Sequence, residues 1–278
     1  MVKKPWEFDS RRIDQSLPAE ICIFPPVLSC GYGAYFPNMK EWKKSSIQED
    51  GVAKRIGFVH TVGFLVEHFR DRMRTSHPEV DAFHILNESL LQDLLRGAPQ
   101  ALVHRRVVSQ IVLAAEAGAD LIVVTCSSTS PAVDIARRLV QQPVLKIDDP
   151  MAAEAVRRGA RIGLICTASS TVEPSSALLR AHAAGQGRAV AITPAVRSEA
   201  YAALMAGNRA QHDAIVRDAA AELAGHSDVL VLAQASLAHL QPELGNKLSI
   251  PVLASPPLLM QAIDAVLRPV PDAIGSHA

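Results

Sequence analysis

The sequence has no surplus of charge, no long apolar run and few cysteines, and each shortage removes a class of function. Lys plus Arg and Asp plus Glu each total 28 in 278 residues. That balance gives no electrostatic reason to expect nucleic acid or an anionic membrane as a partner, although it leaves room for a local charged pocket. No stretch reaches the roughly 20 apolar residues of a membrane span. The opening Met1-Val2-Lys3-Lys4-Pro5-Trp6-Glu7 runs straight into charge, without the apolar centre of a secretory signal. Cys22, Cys30, Cys126 and Cys166 show neither paired zinc spacing nor a dense disulfide framework, so a reducing, cytoplasmic setting is expected. Gly31-Tyr32-Gly33 and Gly185-Gln186-Gly187 lack the glycine spacing and strand-to-helix context of a dinucleotide fingerprint. A phosphate loop, a helical His-Glu-x-x-His and a Gly-x-Ser-x-Gly are also missing. No metal and no cofactor is therefore expected.

What is present is ordinary globular composition, 49% apolar and 20% charged, enough to bury a sizeable core. Residues 1–54 stand apart: they carry Pro5, Pro18, Pro25, Pro26 and Pro37 and a charged run from Lys40 to Lys54. They read as an N-terminal extension that contributes little to the fold. From Arg55 the pattern becomes α/β. Ile56 to His60 and Ala82 to Leu86 read as strands, and Gly63 to Met73 alternates at helical spacing. Arg105 to Ala117 reads as an amphipathic helix stopped by Gly118. Leu121-Ile122-Val123-Val124 is wholly apolar, as a strand of a parallel sheet covered on both faces should be. Ser130-Pro131 predicts a helix start with Ser130 as N-cap. Pro143 to Ile147 is a further strand, ending at Asp148-Asp149-Pro150.

The order then recurs. Arg161-Ile162-Gly163-Leu164-Ile165-Cys166-Thr167 matches Arg55-Ile56-Gly57-Phe58-Val59-His60-Thr61, and Asp228 to Gln234 matches Asp120 to Cys126. Ile250 to Pro256 echoes Gln142 to Asp148. Three matches in register predict two pseudosymmetric open parallel-sheet lobes of α/β type. The lobes are expected at 55–150, joined by 255–270, and at 151–254. Ligands bind beyond the carboxyl ends of such strands, so two facing lobes would enclose an interlobe active-site cleft. The site candidates are then the residues that follow the strands: His60, Thr61, Asn87, Cys126, Ser127, Ser128, Thr129, Thr167, Ser170, Thr171, Gln234 and Ser236.

Cys126 ends an apolar strand just before a helix start, where backbone N–H groups favour a thiolate. The flanking Ser127, Ser128 and Thr129 suit a carboxylate or simple helix capping; Thr167 and Ser170-Thr171 face the same choice before Pro174. His60 is a candidate second acid/base or an ordinary structural hydrogen-bonder. Glu88 reads as an acid or as a cap for a helix near Ser89. Cys166 and His84 read as interior residues, and Cys22 and Cys30 have no arguable partner.

With its duplicated lobes and Thr125-Cys126-Ser127-Ser128-Thr129 at the end of the third strand, the chain resembles the aspartate/glutamate/hydantoin racemase superfamily over about residues 55–270. The resemblance implies a cofactor-independent enzyme with one cysteine from each lobe facing a cleft, acting beside the carboxylate of a small acid. It also implies carboxylate-holding hydroxyls in the segment Ile162 to Thr171. Two stretches depart from the family pattern. The second-lobe Gly-Cys-Thr-His stretch is here Ala233-Gln234-Ala235-Ser236, and an acidic residue usual after the first strand gives way to His60-Thr61. Glutamine exchanges hydrogen bonds but is no base near neutral pH. Three readings follow: an isomerase or racemase in which Cys126 has a non-cysteine partner, a decarboxylase of a malonate-like acid, or a small-acid binding protein. A homo-oligomer is compatible with all three.

Overall fold

The computed structural model describes residues 54–267. The extension expected at 1–54 falls outside these residues except for Lys54, as do Cys22 and Cys30. The first sheet contains β1 (Arg55–His60), β2 (Asp81–Leu86), β3 (Leu121–Val124) and β4 (Val144–Lys146). The second contains β5 (Arg161–Cys166), β6 (Ala191–Val196), β7 (Val229–Leu232) and β8 (Val252–Ala254). Both are fully parallel, in the orders β2-β1-β3-β4 and β6-β5-β7-β8. The helices are α1 (Phe64–Ser76), α2 (Ser89–Leu95), α3 (Gln100–Glu116), α4 (Pro131–Ala136), α5 (Asp149–Arg158), α6 (Val172–Gly185), α7 (Ser198–Met205), α8 (Arg209–Ala224), α9 (Gln241–Lys247) and α10 (Ser255–Leu267). None of the described helices is long and apolar enough to cross a membrane.

The duplication extends to single hydrogen bonds. Ile56 pairs with Leu121 as Ile162 pairs with Val229. Asp120 Oδ2 accepts from Arg55 N at 2.7 Å, and Asp228 Oδ2 from Arg161 N at 2.8 Å. Thr125 N donates to Val59 O, and Ala233 N to Ile165 O, both at 3.0 Å. Gly57 and Gly163 are matched for a steric reason. A Cβ at the first would lie 2.8 Å from Phe83 Cζ, and at the second 2.5 Å from Leu230 Cδ2. Gly118, with φ +81°, closes α3 as expected of a residue without Cβ.

Each sheet is covered on both faces, which is why β3 and β7 are buried along their whole length. In the first lobe Ile56, Phe58, Leu121 and Val123 pack against α1 and α10; Val59, Ile122 and Val124 pack against α3 and α4. In the second lobe Ile162, Leu164 and Val231 face α5 and α6, whereas Ile165, Leu230 and Leu232 face α8. The cover is exchanged: α5 follows β4 but packs on the second sheet, and α10 follows β8 but packs on the first.

Three details differ from the sequence reading. Ser130 precedes α4 but is no N-cap: its backbone is helical and its hydroxyl points back to Cys126 O at 3.4 Å. A tight turn over Ser127–Thr129 runs directly into α4, leaving no extended residue from which a cap could accept. Glu88 does not cap α2; its Oε1 accepts from Gly63 N at 3.2 Å. β6 was unforeseen because its burial is broken and Pro194 interrupts its apolar run. Proline is tolerated there because β6 is an edge strand.

Candidate active site at the strand ends

Cys126 stands two residues beyond β3, and Gln234 two residues beyond β7. Both are extended, with φ/ψ of −128°/116° and −131°/139°, and each leads into a 3₁₀ turn, Ser127–Thr129 and Ala235–Leu240 respectively. The register makes them pseudosymmetric partners, one thiol and one amide. Thr61 and Thr167 are related in the same way after β1 and β5.

The orientation of the Gln234 amide follows from its neighbour. Thr167 N, which can only donate, lies 2.5 Å from Gln234 Oε1, and Thr167 Oγ1 donates to the same atom at 2.9 Å. The oxygen is occupied, so the NH₂ is what Gln234 can offer elsewhere. Hydroxyls join the lobes. Ser127 Oγ donates to Ala233 O at 3.0 Å, and Ser128 Oγ lies 3.1 Å from both Ser170 Oγ and Thr171 Oγ1. Cys126, Ser127 and Ser128 are nearly buried, at 7–8% exposed, and Thr167 and Thr171 still more so. Thr61 is buried, and its hydroxyl has no partner among the described residues.

Other candidates are engaged differently. Thr129 is wholly buried and its hydroxyl donates to Cys126 O at 3.1 Å, so it braces the turn beneath the thiol instead of facing a ligand. His60 is sealed under α1, stacked among Phe58, Phe69 and His84. Its Nδ1 meets Thr125 Oγ1 at 2.8 Å and its Nε2 meets His84 Nδ1 at 2.9 Å. Burial, then the neighbouring His84 and Arg70, lower its pKa to about 3. Both ring nitrogens are engaged in the interior, and none of the hydroxyls that follow Cys126 is among their partners. Cys166, the pseudosymmetric counterpart of His60, is fully buried, and burial together with the charge of Asp148 pushes its thiol up to about 12. Asn87 is half-buried with Oδ1 accepting from Ser89 Oγ at 2.7 Å, while Ser236 offers its carbonyl to His239 Nδ1 at 2.9 Å. Neither is drawn into the hydroxyl cluster.

The residue that sequence reasoning passed over is Asp148. It stands two residues beyond β4 and is 2% exposed, and neither carboxyl oxygen makes a hydrogen bond of good geometry among the described residues. Ser127 and Ser255 stand close enough to favour its anion, yet burial dominates and, with Asp149 adding, raises its pKa to about 7. Asp149 next door is the ordinary case: it accepts from Arg137 Nη2 at 3.0 Å and pairs with His182 Nε2 at 3.2 Å. The signal was available, since Asp148 is a strand-end residue like the others. It was read only as the end of a strand.

A match between residues 62–263 and the sequence profile of the Asp/Glu/Hydantoin racemase family decides the question of kinship. The chain belongs to that family. Solved structures share its fold. An allantoin racemase from Klebsiella pneumoniae is 20% identical with a TM-score of 0.59, covering 77% of this chain and 87% of its own. A glutamate racemase from Thermus thermophilus, in complex with β-chloro-D-alanine, is 21% identical with a TM-score of 0.56, over 80% and 85%. A glycine-to-cysteine mutant of arylmalonate decarboxylase, in a sulfate-associated form, is 17% identical with a TM-score of 0.51, over 76% and 93%. No curated protein matches the chain. Membership makes this chain an enzyme of the racemase superfamily, built from two parallel-sheet α/β lobes.

Proposed function

We propose that this racemase-family protein moves a proton at the carbon next to the carboxylate of a small organic or amino acid, without a cofactor, using Cys126 as its thiol acid/base. The observation that carries the reading is the pairing of Cys126 with an amide fixed by Thr167 at the pseudosymmetric position. Removing such a proton leaves an enediolate, whose cost falls when preorganised donors meet the oxyanion. The Gln234 NH₂ and the hydroxyls of Ser128, Ser170 and Thr171 are such donors, shared between lobes. An amide cannot return a proton as a thiol would. The second group able to hold a proton near neutral pH is Asp148, behind Ser127, whose raised pKa suits general acid–base work. Thr61, with its unpartnered hydroxyl, is assigned to the substrate. Thr129 and His60 are assigned to support, and Asn87 and Ser236 to the rim.

The absence of a thiol at 234 also favours a second reading, loss of CO₂ from a malonate-like acid followed by protonation from one face by Cys126. One experiment separates them. Small 2-amino and 2-hydroxy acids of one hand, and substituted malonates, are incubated with the protein in heavy water, and deuterium uptake, inversion and CO₂ release are followed. Deuterium entering faster than inversion, abolished by Cys126→Ala, is the expected result. CO₂ release from malonates with no exchange of the amino or hydroxy acids would establish the decarboxylase. Turnover undiminished in Cys126→Ala would refute both, and binding without turnover would leave a small-acid binding protein.

A further inference from the structure

We propose that His212, Asp213 and His239 form a binding site for a divalent transition-metal ion of the zinc class, remote from the chemistry assigned to Cys126. His212 and Asp213 lie at the junction of the first and second turns of α8, and His239 in the 3₁₀ turn after β7. One ligand atom from each falls within 4.8 Å of the others. Asp213 Oδ1 is 2.7 Å from His212 Nδ1 and 2.8 Å from His239 Nε2.

A hydrogen-bonded chain of neutral groups does not account for this arrangement. His239 Nδ1 faces the carbonyl oxygen of Ser236 at 2.9 Å, and a carbonyl only accepts, so Nδ1 carries the ring proton. A neutral His239 then turns the lone pair of Nε2 toward a carboxylate oxygen, acceptor against acceptor. A positive charge at that point removes the conflict, either a proton on Nε2 or, with the ring neutral, a metal ion between ring and carboxylate. Holding one ring nitrogen on a backbone carbonyl is also how metal-ligating histidines are oriented. His212 Nδ1 faces the same carboxylate oxygen at 2.7 Å, so ring and carboxylate already converge on one point, while among the described residues Nε2 is buried without a partner. Two imidazoles and a carboxylate suit zinc-class ions. Bonds of about 2.0–2.2 Å in tetrahedral geometry would space the ligand atoms about 3.3 Å apart, so the two short contacts need to open by only about half an ångström. The side chain of His239 is 29% exposed, while His212 and Asp213 are 0% and 14%. The open side leaves an ion room for a water. Because His239 grips Ser236, a bound ion would tie α8 to the turn that begins just after Gln234.

The test uses the full-length, tag-free, chelator-treated protein titrated with Co²⁺, whose visible d–d bands report coordination by nitrogen and oxygen. We expect one ion per chain, no intense near-ultraviolet thiolate band, and a melting temperature raised by about 5–10 °C at a hundredfold excess over Kd. The bands and the shift should disappear in His239→Gln and Asp213→Asn, both checked for native circular dichroism, and persist in Cys126→Ala. The proposal is overturned if neither signal develops, if both survive in folded His239→Gln, or if a thiolate band forms and is lost in Cys126→Ala.

Discussion

Replacing Asp148 by asparagine should make the protein more stable, and more so as pH rises. The side chain keeps its shape and loses its charge. In the folded protein the carboxyl titrates at about 7 instead of 3.8, chiefly because it is buried. Below the unfolded value the acid is protonated in both states and costs nothing. As pH climbs from about 4 through about 7, the folded state holds its proton the more tightly, so stability falls across that window. At about 1.4 kcal/mol per pH unit the full loss approaches about 4 kcal/mol, an upper limit because water entry and small shifts relieve a buried charge. The wild-type curve alone would hide this. His60 and His84 have depressed values of about 3 and about 4, so they contribute stability that is lost as pH falls through the acid part of the same window. The difference between wild type and Asp148→Asn isolates the carboxylate. Urea unfolding of both proteins at several pH values should give a gap near zero at about pH 4, growing to about 2–4 kcal/mol in favour of the variant by about pH 8. A gap that stays constant over that range would mean that Asp148 titrates as an ordinary exposed carboxyl. A buried carboxyl with no well-formed hydrogen bond among the described residues is an expense that packing does not require, and groups of that kind concentrate where chemistry is done. The stabilised variant should therefore turn over at least about a hundredfold more slowly.

Brief iodoacetamide treatment at neutral pH, read by mass spectrometry, should modify Cys126 before Cys166, whose thiol is fully buried and pushed up to about 12; labelling of Cys166 first would count against the site. His60→Asn should flatten the acid limb of the stability curve, because the neutral ring it replaces resists protonation down to about 3; an unchanged limb in urea melts would show that the ring already titrates in water. Gly163→Ala should destabilise by about 1–3 kcal/mol, since its Cβ would meet Leu230 Cδ2 at 2.5 Å and Ser227 Oγ at 2.7 Å. Gly245→Ala, with nothing nearby, should be nearly neutral or slightly stabilising in the same melts.

How much could be seen in advance depended on whether a residue's role repeats. Arg55 with Asp120 and Arg161 with Asp228 solve one problem twice, closing the start of a strand pair, and their recurrence made the duplication visible in one dimension. Buried strands such as β3 and β7 announce themselves because both faces need apolar side chains. β6 gave no such notice: as an edge strand it keeps half its surface in water and tolerates Pro194. Side-chain direction was the other blind spot. His60 and Thr61 are adjacent, and spacing alone could not tell that the imidazole turns under α1 while the next residue, just beyond the strand, keeps a buried hydroxyl without a partner among the described residues. Asp148 and Asp149 pose the same difficulty. One carboxylate finds Arg137 and His182, and its neighbour, one residue earlier, has only the nearby hydroxyls of Ser127 and Ser255 among the described residues.

The unequal ends of the two lobes have a mechanistic consequence. A symmetric pair of thiols would let either face of a planar intermediate be protonated, so the fold by itself favours inversion. Here duplication keeps the backbone of that arrangement, with Cys126 and Gln234 in nearly the same conformation, and changes the chemistry of one half. Thr167 fixes the replacement as a donor by occupying its oxygen. A Gln234→Glu variant would test how far that matters. The carboxylate could still accept from Thr167, but it would set a negative charge where the intermediate develops one, and electrostatic stabilisation lost there costs about a hundredfold to a thousandfold in turnover. Gln234→Asn would shorten the reach without adding charge. If the amide serves by donating to the oxyanion, Gln234→Glu should be slower than Gln234→Asn, with substrate binding weakened in both. If the two variants are equally active, the position opposite Cys126 serves only to fill space.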